Sequence, residues 1–328
     1  MKVAYYEQTG PAADVLVLGD MPDPEPGEGE VRVRTQWSGV NPSDVKARSG
    51  VRGPTMPFPR VIPHSDGMGV VDAVGAGVDP SRLGRRVWLW NAAWGRPNGT
   101  AASLVVLPQH QAIELPENVP GEVGACLGIP AMTAAHAVLT DGGVAGQRVL
   151  VAGGAGAVGH YAVQLAHLLG ARQVIATVSS PAKAALARAA GADVVIDYRS
   201  DNVGDRVRAA TKGAGVDRII EVDIAANATI DVEVIRPDGM WVVYGSSARQ
   251  VNLSFSPMIS RNILVRFFIV YHLCPADRQR ASAVLKDLLR REQLQHNIAV
   301  RLPLTSIAEA HDLVEAGSVI GNVVVSID

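Results

Sequence analysis

The sequence predicts an α/β protein with two parts, a partly barrel-like β domain and a doubly wound parallel sheet with helices on its faces. Three observations support this fold class. The first third of the 328 residues contains short apolar runs separated by clusters of Pro and Gly. From about Pro120 onward, apolar runs of strand length alternate with helical stretches. A Gly-rich turn stands early in this second part, between a strand and a helix.

The β domain is predicted from four runs whose residues alternate in polarity or are apolar throughout. Turn-forming segments such as Met21–Gly29 separate the runs, which is typical of a compact β domain. Trp88 and Trp90 would share one face of the third strand, where they either stack on a flat ligand or belong to the core. The predicted strands are Val31–Thr35, Gly69–Val74, Val87–Trp90 and Leu104–Leu107.

The alternation of strands and helices in the second part predicts a doubly wound sheet. A helix is expected at Asp277–Arg290 and a last strand at Val323–Ile327. That strand could rejoin the β domain, which would make the second part an insertion, and periodicity alone leaves this open. The predicted strands are Val149–Ala152, Gln173–Val178, Asp193–Ile196, Arg218–Val222 and Met240–Tyr244, followed by an apolar strand at Ile263–Val270.

The segment Val149–Ala171 contains no charged side chain and is long enough to cross a bilayer. Its glycines argue against a membrane helix, because they lower helix propensity without benefit there. Gly154, Gly156 and Gly159 instead form G-x-G-x-x-G between a strand and a helix. Such a turn lets the backbone approach a pyrophosphate, which binds at the helix N-terminus. The segment therefore predicts a Rossmann dinucleotide-binding site.

The end of the second strand of this domain favours NADP(H) over NAD(H). NAD-binding domains usually place an acid there to bind the ribose 2′-hydroxyl, but no Asp or Glu occurs between Asp141 and Asp193. Ser179, Ser180 and Lys183 stand there instead, and hydroxyl and ammonium groups attract a 2′-phosphate. Alternatively, Ser180 is a helix N-cap and Lys183 a solvated side chain; both interpretations can hold together.

Composition excludes several classes of function. A net charge of −2 provides no basic surface for nucleic acid or an anionic membrane. The two cysteines, Cys126 and Cys274, are far apart in sequence and suit a reducing cytoplasm. The first residues, MKVAYYEQTG, lack the apolar core of a secretory signal. We therefore expect a cytoplasmic enzyme or binding protein that acts on small molecules.

Several stretches together give a resemblance to a known family. The chain resembles the zinc-free, zeta-crystallin-like quinone oxidoreductases of the medium-chain dehydrogenase/reductase superfamily over essentially its whole length. The resemblance implies a GroES-like catalytic domain at residues 1–120 and 275–328, a Rossmann domain at 121–274 and an active site in the cleft between them. The matching stretches are Gly39–Asp44, Ile62–Val71, Ala125–Thr133, Gly153–Gly159, Val194–Tyr198, Glu221–Asn227 and Tyr244–Ser247.

The resemblance also implies roles for individual residues in binding NADPH. Asn41 and Thr133 would lie near the reacting ring, and Arg52 stands where relatives can carry a Tyr beside the cofactor. The pyrophosphate turn would be Gly154, Ala155, Gly156, Ala157, Val158 and Gly159; the 2′-phosphate group would be Ser179, Ser180, Lys183 and Tyr198; the ribose and nicotinamide residues would be Asn227, Tyr244, Gly245, Ser246, Ser247, Phe268, Ile269, Val270 and Asn322.

We expect no metal. Two isolated cysteines cannot supply the four ligands of a structural zinc site. Zinc-dependent relatives have Cys where this chain has Asn41, and His where it has Ser65; Asp66 remains. His64 is one position away and is expected to be a hydrogen-bonded structural residue rather than a ligand.

Without zinc, the chemistry expected is hydride transfer from NADPH to quinones or other conjugated carbonyl acceptors. Asn41, Ser43 and Asp44 are the candidate catalytic residues, of which Ser43 and Asp44 could donate a proton or orient a water; Asp44 is alternatively a helix cap. A second possibility is an enoyl-thioester or alkenal double-bond reductase, with Tyr271 and Arg52 as candidate donor and entrance residues. A third is an NADPH-binding, crystallin-like protein with little turnover.

The apolar strand Ile263–Val270 predicts a homodimer. It follows the fifth strand of the sheet and therefore belongs at an edge, where its unpaired backbone groups favour association with another strand. Pairing with the same strand of a second copy would remove that edge. Alternatively, a helix or the C-terminal tail covers the strand within one chain.

Overall fold

The computed structural model describes residues 1–51, 53 and 55–327; Arg52, predicted beside the cofactor, lies outside them. The chain folds into two compact units. One contains residues 1–129 and 286–328, and the other contains residues 130–285. The boundaries predicted from the sequence, after residues 120 and 274, stay a prediction.

The strands in chain order are β1 Lys2–Tyr5, β2 Val17–Asp20, β3 Glu30–Val40, β4 Asp66–Val74, β5 Arg86–Leu89, β6 Leu104–Pro108, β7 Ala112–Glu114, β8 Arg148–Val151, β9 Gln173–Val178, β10 Val194–Asp197, β11 Val216–Glu221, β12 Ile235–Val243, β13 Leu264–Phe267, β14 Ile298–Pro303 and β15 Asn322–Ser326. The α-helices are α1 Ala12–Val15, α2 Pro42–Arg48, α3 Gly121–Gly124, α4 Met132–Leu139, α5 Ala157–Leu168, α6 Pro181–Ala189, α7 Val203–Ala210, α8 Ile224–Val234, α9 Phe255–Ile259, α10 Pro275–Arg290 and α11 Ile307–Glu315.

The first unit is built on a seven-stranded sheet. Its order is β14-β15-β3-β4-β5-β7, and β6 pairs with the long strand β3. Alternating residues of these strands, such as Val31, Val33 and Val105, form a buried cluster. β15 pairs antiparallel with β3, so the C-terminal strand completes the sheet that the N-terminal third begins. This confirms the predicted return of the tail to the β domain.

The structure buries both tryptophans of the predicted third strand. Trp88 lies within β5 and exposes 2% of its surface, and Trp90, just after the strand, exposes 6%. A stacked ligand needs an exposed ring face, and neither side chain offers one in this unit. The burial favours the alternative in which both are core aromatics.

The second unit is a six-stranded parallel sheet with the order β10-β9-β8-β11-β12-β13. The predicted strands are confirmed to within a few residues. The strand order reverses between β8 and β11, and ligands of such sheets bind outside the carboxyl ends of the strands at this point. Leu150, Ile175 and Ile219 from neighbouring strands belong to its buried core. Among the described residues, no helix combines the length and apolarity that a membrane span requires.

The predicted strand Ile263–Val270 is too long. The structure places β13 at the edge of the sheet, as expected, but limits it to Leu264–Phe267. The parallel partner β12 ends at Val243, whose carbonyl still accepts a bond from the Phe268 amide at 3.1 Å. Beyond that bond β12 offers no further partner, so the apolar residues that follow leave the sheet and turn.

Candidate active site

The glycine turn joins β8 to α5, which begins at Ala157 with Gly156 as its N-cap. A Cβ on Gly159 would lie 2.1 Å from the Gly153 carbonyl oxygen, and one on Gly154 would lie 2.6 Å from the Cβ of Ala176. These two glycines are required by the fold itself. A Cβ on Gly156 would meet only the Gly153 carbonyl oxygen, at 3.3 Å, a tight contact that a shift of a few tenths of an ångström relieves. Gly156 has no side chain to cap the first amides of α5, which suits an anionic group.

The end of β9 brings a hydroxyl and an ammonium group together. Lys183 Nζ donates to Ser179 Oγ at 3.0 Å, and Ser180 Oγ accepts the Lys183 amide at 3.3 Å as the N-cap of α6. The exposed Tyr198 follows β10 and is held beside them, because its amide donates to the Val178 carbonyl at 3.0 Å. Ser180 is therefore an N-cap, as the alternative interpretation held, and Lys183 is aimed at Ser179 rather than free in solvent.

The turn after β11 is organised by carboxylates. Asn227 Nδ2 donates to Glu221 Oε1 at 2.9 Å, and the Asp223 amide donates to the same oxygen. Asp223 Oδ1 in turn accepts from the amide and hydroxyl of Ser247, at 2.7 and 2.9 Å. The turns that follow β11 and β12 are thus tied together by side chains at the carboxyl ends of their strands.

A cavity of about 930 Å³ opens beside these turns in the second unit. A Cβ on Gly245 would lie 2.1 Å from the Val222 carbonyl oxygen, so only glycine allows the two turns to approach this closely. The Phe268 ring packs against the rings of His136 and Tyr244, with centroids 4.6 and 6.4 Å apart. The lining includes Tyr244, Gly245, Ser246, Phe268 and Ile269 of the predicted site, with His136, Val251, Leu253, Leu273 and Cys274 added by the structure.

Burial sets the charge state of this lining. It raises the pKa of Tyr244 far above its usual value, and the nearby Glu221 carboxylate adds to this. It lowers the pKa of His136, so that ring is neutral near pH 7. Val270 of the predicted site is buried rather than exposed to the cavity. The walls are therefore mostly apolar, as suits a flat organic ligand, and Arg249, Arg266 and Asp277 are the charged residues of the lining.

The predicted catalytic residues lie at the start of α2, in the first unit. Asn41 and Asp44 form a capping box: the Asn41 side chain accepts the Asp44 amide, and the Asp44 carboxylate accepts the Asn41 amide at 2.9 Å. Asn41 Nδ2 also donates to Asp66 Oδ2 at 3.0 Å. Asp44 is therefore a helix cap, the alternative weighed from the sequence, and Ser43 follows the cap in the same turn.

Asn322 and Thr133 complete the predicted set. Asn322 begins β15, and its neighbour Val323 pairs with Val40, which places Asn322 near Asn41 within the first unit. Thr133 is buried on α4 of the second unit. The structure thus gathers Asn41, Ser43, Asp44 and Asn322 in one unit, and the glycine turn, the end of β9 and the cavity wall in the other.

His64 is a structural residue in a buried hydrogen-bond chain. Its Nδ1 lies 2.7 Å from Ser38 Oγ, and its Nε2 lies 2.9 Å from Nε2 of His311. Thr100 donates its hydroxyl proton to the Asp66 carbonyl, so Ser38 donates to Thr100 and His64 donates to Ser38. His311 Nε2 then donates to His64. Sequence reasoning missed His311, because nothing local distinguishes it.

Burial lowers the pKa of both histidines, that of His311 to about 3, so the chain is neutral at ordinary pH. Burial likewise raises the pKa of Asp66, with the Asp44 carboxylate as a second cause. Within the described ranges, no group of three or more His, Cys, Asp or Glu residues could hold a metal ion.

Two parts of the chain match known protein families. Residues 27–117 match the alcohol dehydrogenase GroES-like domain, and residues 157–288 match the zinc-binding dehydrogenase family. A quinone oxidoreductase of Pseudomonas aeruginosa is 31% identical over 316 residues, which cover 95% of each chain. The chain belongs to the quinone oxidoreductase family. The predicted GroES-like fold of the β domain and the membership of the medium-chain dehydrogenase/reductase superfamily are confirmed.

Solved structures of similar proteins agree with this assignment. An NAD-dependent alcohol dehydrogenase is 30% identical, with a TM-score of 0.90 and full coverage of both chains. The mycobacterial protein Rv1454c, complexed with NADPH, is 28% identical, with a TM-score of 0.85 over 99% of each chain. As a member of the quinone oxidoreductase family, the protein is an oxidoreductase.

Proposed function

We propose that this quinone oxidoreductase family member transfers hydride from NADPH to quinones or other conjugated carbonyl acceptors, without a metal. The observation that carries the proposal is the mostly apolar cavity of about 930 Å³, whose wall includes Tyr244, Gly245 and Ser246 together with Phe268 and Ile269. These are the residues that the family resemblance assigns to the nicotinamide. A flat, electron-poor acceptor fits such a wall.

The second unit fits the cofactor at two further places. The start of α5, which has no side chain at Gly156 to cap it, suits a pyrophosphate, which would accept bonds from the first amides of the helix. The Lys183 ammonium and the Ser179 hydroxyl suit a 2′-phosphate, and no acid stands at the end of β9 to repel it. The preference for NADPH over NADH rests on this chain's own residues.

Bound NADPH supplies a hydride, and the protein's part is to bind, orient and exclude water. Gly245 lets the turns after β11 and β12 close on each other, and Phe268 keeps one wall apolar. Asn41 is held between Asp44 and Asp66, so its amide has a fixed orientation. Asn41 and Ser65 occupy the positions of two zinc ligands, and a neutral amide and a hydroxyl are poor replacements for thiolate and imidazole.

We also propose that the protein is a cytoplasmic homodimer. β13 is an edge strand, and Leu264 and Phe267 expose 49% and 63% of their surfaces. No helix or tail of the second unit covers these side chains, so a second copy of the strand is the partner we favour.

The test of the proposed function is NADPH consumption with three acceptors side by side: 9,10-phenanthrenequinone, 1,4-benzoquinone and crotonyl-CoA. We expect turnover with the quinones. Turnover with crotonyl-CoA alone would replace the proposal by an enoyl-thioester reductase. Tight NADPH binding without turnover of any acceptor would favour the crystallin-like alternative.

A further inference from the structure

Two carboxyl groups are buried together under the proposed cofactor turns. Glu221 ends β11 and is fully buried, and Asp231 on α8 exposes 2% of its surface. Glu221 Oε2 is buried without another hydrogen-bond partner, and Asp231 lies one helical turn after Asn227, the residue that donates to Glu221 Oε1, so the two carboxyl groups face each other. Asp231 Oδ2 also accepts the indole N–H of the buried Trp241 at 2.9 Å. Two ionised carboxylates contain only acceptors, so a bond between them requires a proton on one.

The surroundings also disfavour two negative charges. Within the part of the chain that the structure describes, no ion pair joins either carboxyl to Lys, Arg or His. The other titratable groups that face Glu221 are Asp223, which repels a charge there, and the Tyr244 phenol, which is neutral. Burial is the first cause that raises the pKa of both carboxyls; the Glu221 charge adds to it at Asp231 and the Asp223 charge adds to it at Glu221, whereas the contact with Asp231 lowers the pKa of Glu221.

The pair holds the turns that face the cavity. Glu221 Oε1 accepts from Asn227 Nδ2 and from the Asp223 amide, and the Tyr244 amide donates to the Glu221 carbonyl at 3.1 Å. Asp223 in turn fixes Ser247 through two bonds. A change in the position of the Glu221 side chain is therefore passed to both turns.

We propose that Glu221 and Asp231 share a single proton, and that this singly charged pair positions Asn227 and the turn Tyr244–Ser247 for the cofactor, so that NADPH affinity falls when the shared proton is lost. The inference rests on the proposed function, which assigns these residues to the cofactor. Glu221 and Asp231 are positioning residues. Loss of the proton places a second charge in a buried site without a counter-ion, and the pair then separates or admits water.

The experiment compares the full-length protein with Asp231→Asn. The Asn amide donates to Glu221 while its oxygen still accepts from Trp241, so the variant imitates the protonated pair at every pH. Glu233→Gln is the matched control, because it removes an exposed carboxyl from the same helix. NADPH affinity is measured by fluorescence titration from about pH 6 to pH 9, the range in which buried carboxyls can titrate.

We expect the wild type and Glu233→Gln to lose affinity as the pH rises, by about tenfold for each unit above the apparent pKa of the pair. Asp231→Asn should retain its affinity across the range. Identical pH profiles for the wild type and Asp231→Asn would overturn the proposal. If Asp231→Asn does not fold, Glu221→Gln gives the same comparison, since its amide oxygen still accepts from Asn227.

A second measurement needs no cofactor. The infrared spectrum of the unliganded protein near neutral pH should contain a C=O stretch from a protonated carboxyl group that is weaker in Asp231→Asn and unchanged in Glu233→Gln; buried Asp66, whose pKa is also raised, contributes equally to all three spectra and cancels in the difference spectra. The melting temperature of Asp231→Asn should also rise relative to the wild type as the pH increases. A wild type that binds no NADPH would contradict the proposed function and the positioning role with it. Identical carboxyl bands in the wild type and Asp231→Asn would contradict the shared proton itself.

Discussion

At the scale of single residues, the proposed cofactor preference depends on a few atoms at the end of β9. Lys183 Nζ is 3.0 Å from Ser179 Oγ, and the strand ends without an acid. The ammonium group is therefore already oriented before a phosphate arrives, which reduces the entropy lost on binding.

Lys183→Ala should weaken NADPH binding by about 2 kcal/mol, the scale of one or two charge-assisted hydrogen bonds, and leave NADH binding nearly unchanged. Fluorescence titration with both cofactors measures this. Arg188→Ala, on the same helix, is a control that should change neither affinity. Equal losses for NADH and NADPH would show that Lys183 supports the helix rather than the 2′-phosphate.

Gly156→Val should abolish NADPH binding and leave the melting temperature within a few degrees of the wild type. A Cβ at Gly156 would make only one close contact, 3.3 Å to the Gly153 carbonyl oxygen, which a small shift relieves, and its φ of −73° is accessible to any residue. Gly159→Ala is the contrasting variant, because its Cβ would collide with the Gly153 carbonyl at 2.1 Å and destabilise the protein. Retained affinity in Gly156→Val would mean that the turn does not hold the pyrophosphate.

At the scale of elements, buried polar side chains connect segments that are far apart in sequence. The His64–His311 bond joins the loop before β4 to α11, within the first unit. Both histidines must be neutral to keep this chain of bonds, whereas the unfolded chain protonates them below about pH 6.5. The folded state therefore binds fewer protons than the unfolded state in acid.

The free energy of unfolding should consequently fall as the pH drops from about 6.5 towards 3, by about 1.4 kcal/mol per pH unit for each buried histidine. His311→Gln keeps a donor to His64 but does not titrate, so it should reduce this slope by about half. His167→Gln, at an exposed position, is the control. Urea unfolding at a series of pH values measures the slope, and an unchanged slope in His311→Gln would contradict the assignment.

β13 gives the second prediction at this scale. Phe267→Glu should produce monomers, because it adds a like charge to each side of the proposed two-fold contact while the 63% exposed side chain costs one chain little stability. Leu18→Glu, at an exposed apolar residue of the first unit, should remain dimeric. Sedimentation at micromolar concentration distinguishes the two. A monomeric mass for the unmodified protein would refute the dimer.

At the scale of the whole molecule, the chain makes one unit from two separated segments and the other from a continuous one. The C-terminal strands β14 and β15 complete the sheet of the first unit. Asn41 belongs to the first unit and the proposed cofactor-binding turns belong to the second, so the proposed activity is tested on the full-length chain.

Activity should survive exhaustive chelation, and the purified protein should contain no stoichiometric zinc by elemental analysis. Asn41 and Asp66 are already hydrogen-bonded to each other, at 3.0 Å, where zinc-dependent relatives hold the metal. The control is a zinc-dependent alcohol dehydrogenase treated in parallel. Loss of activity that added zinc restores would overturn this prediction.

Local patterns in the sequence were sufficient for the parallel sheet and the glycine turn. Each signal that we used spans only a few residues: the apolar runs of strand length, the G-x-G-x-x-G turn, and the lack of an acid after β9. The physical causes are equally local, namely backbone freedom, free helix amides and side-chain charge. The sequence signal of a helix cap also spans only a few residues, so Ser180 and Asp44 could be recognised as candidate caps. The end of β13 could not be predicted, because it depends on where its neighbour β12 stops.

Tertiary structure alone decided which polar groups meet in the core. No sequence periodicity relates the members of either buried pair. A turn separates Glu221 from Asp231, and most of the chain separates His64 from His311. An acid at the end of an apolar strand was the one available signal for Glu221. The reason is that burial converts an ordinary carboxyl or imidazole into one whose charge depends on its neighbour, and only the folded chain brings that neighbour within hydrogen-bond distance.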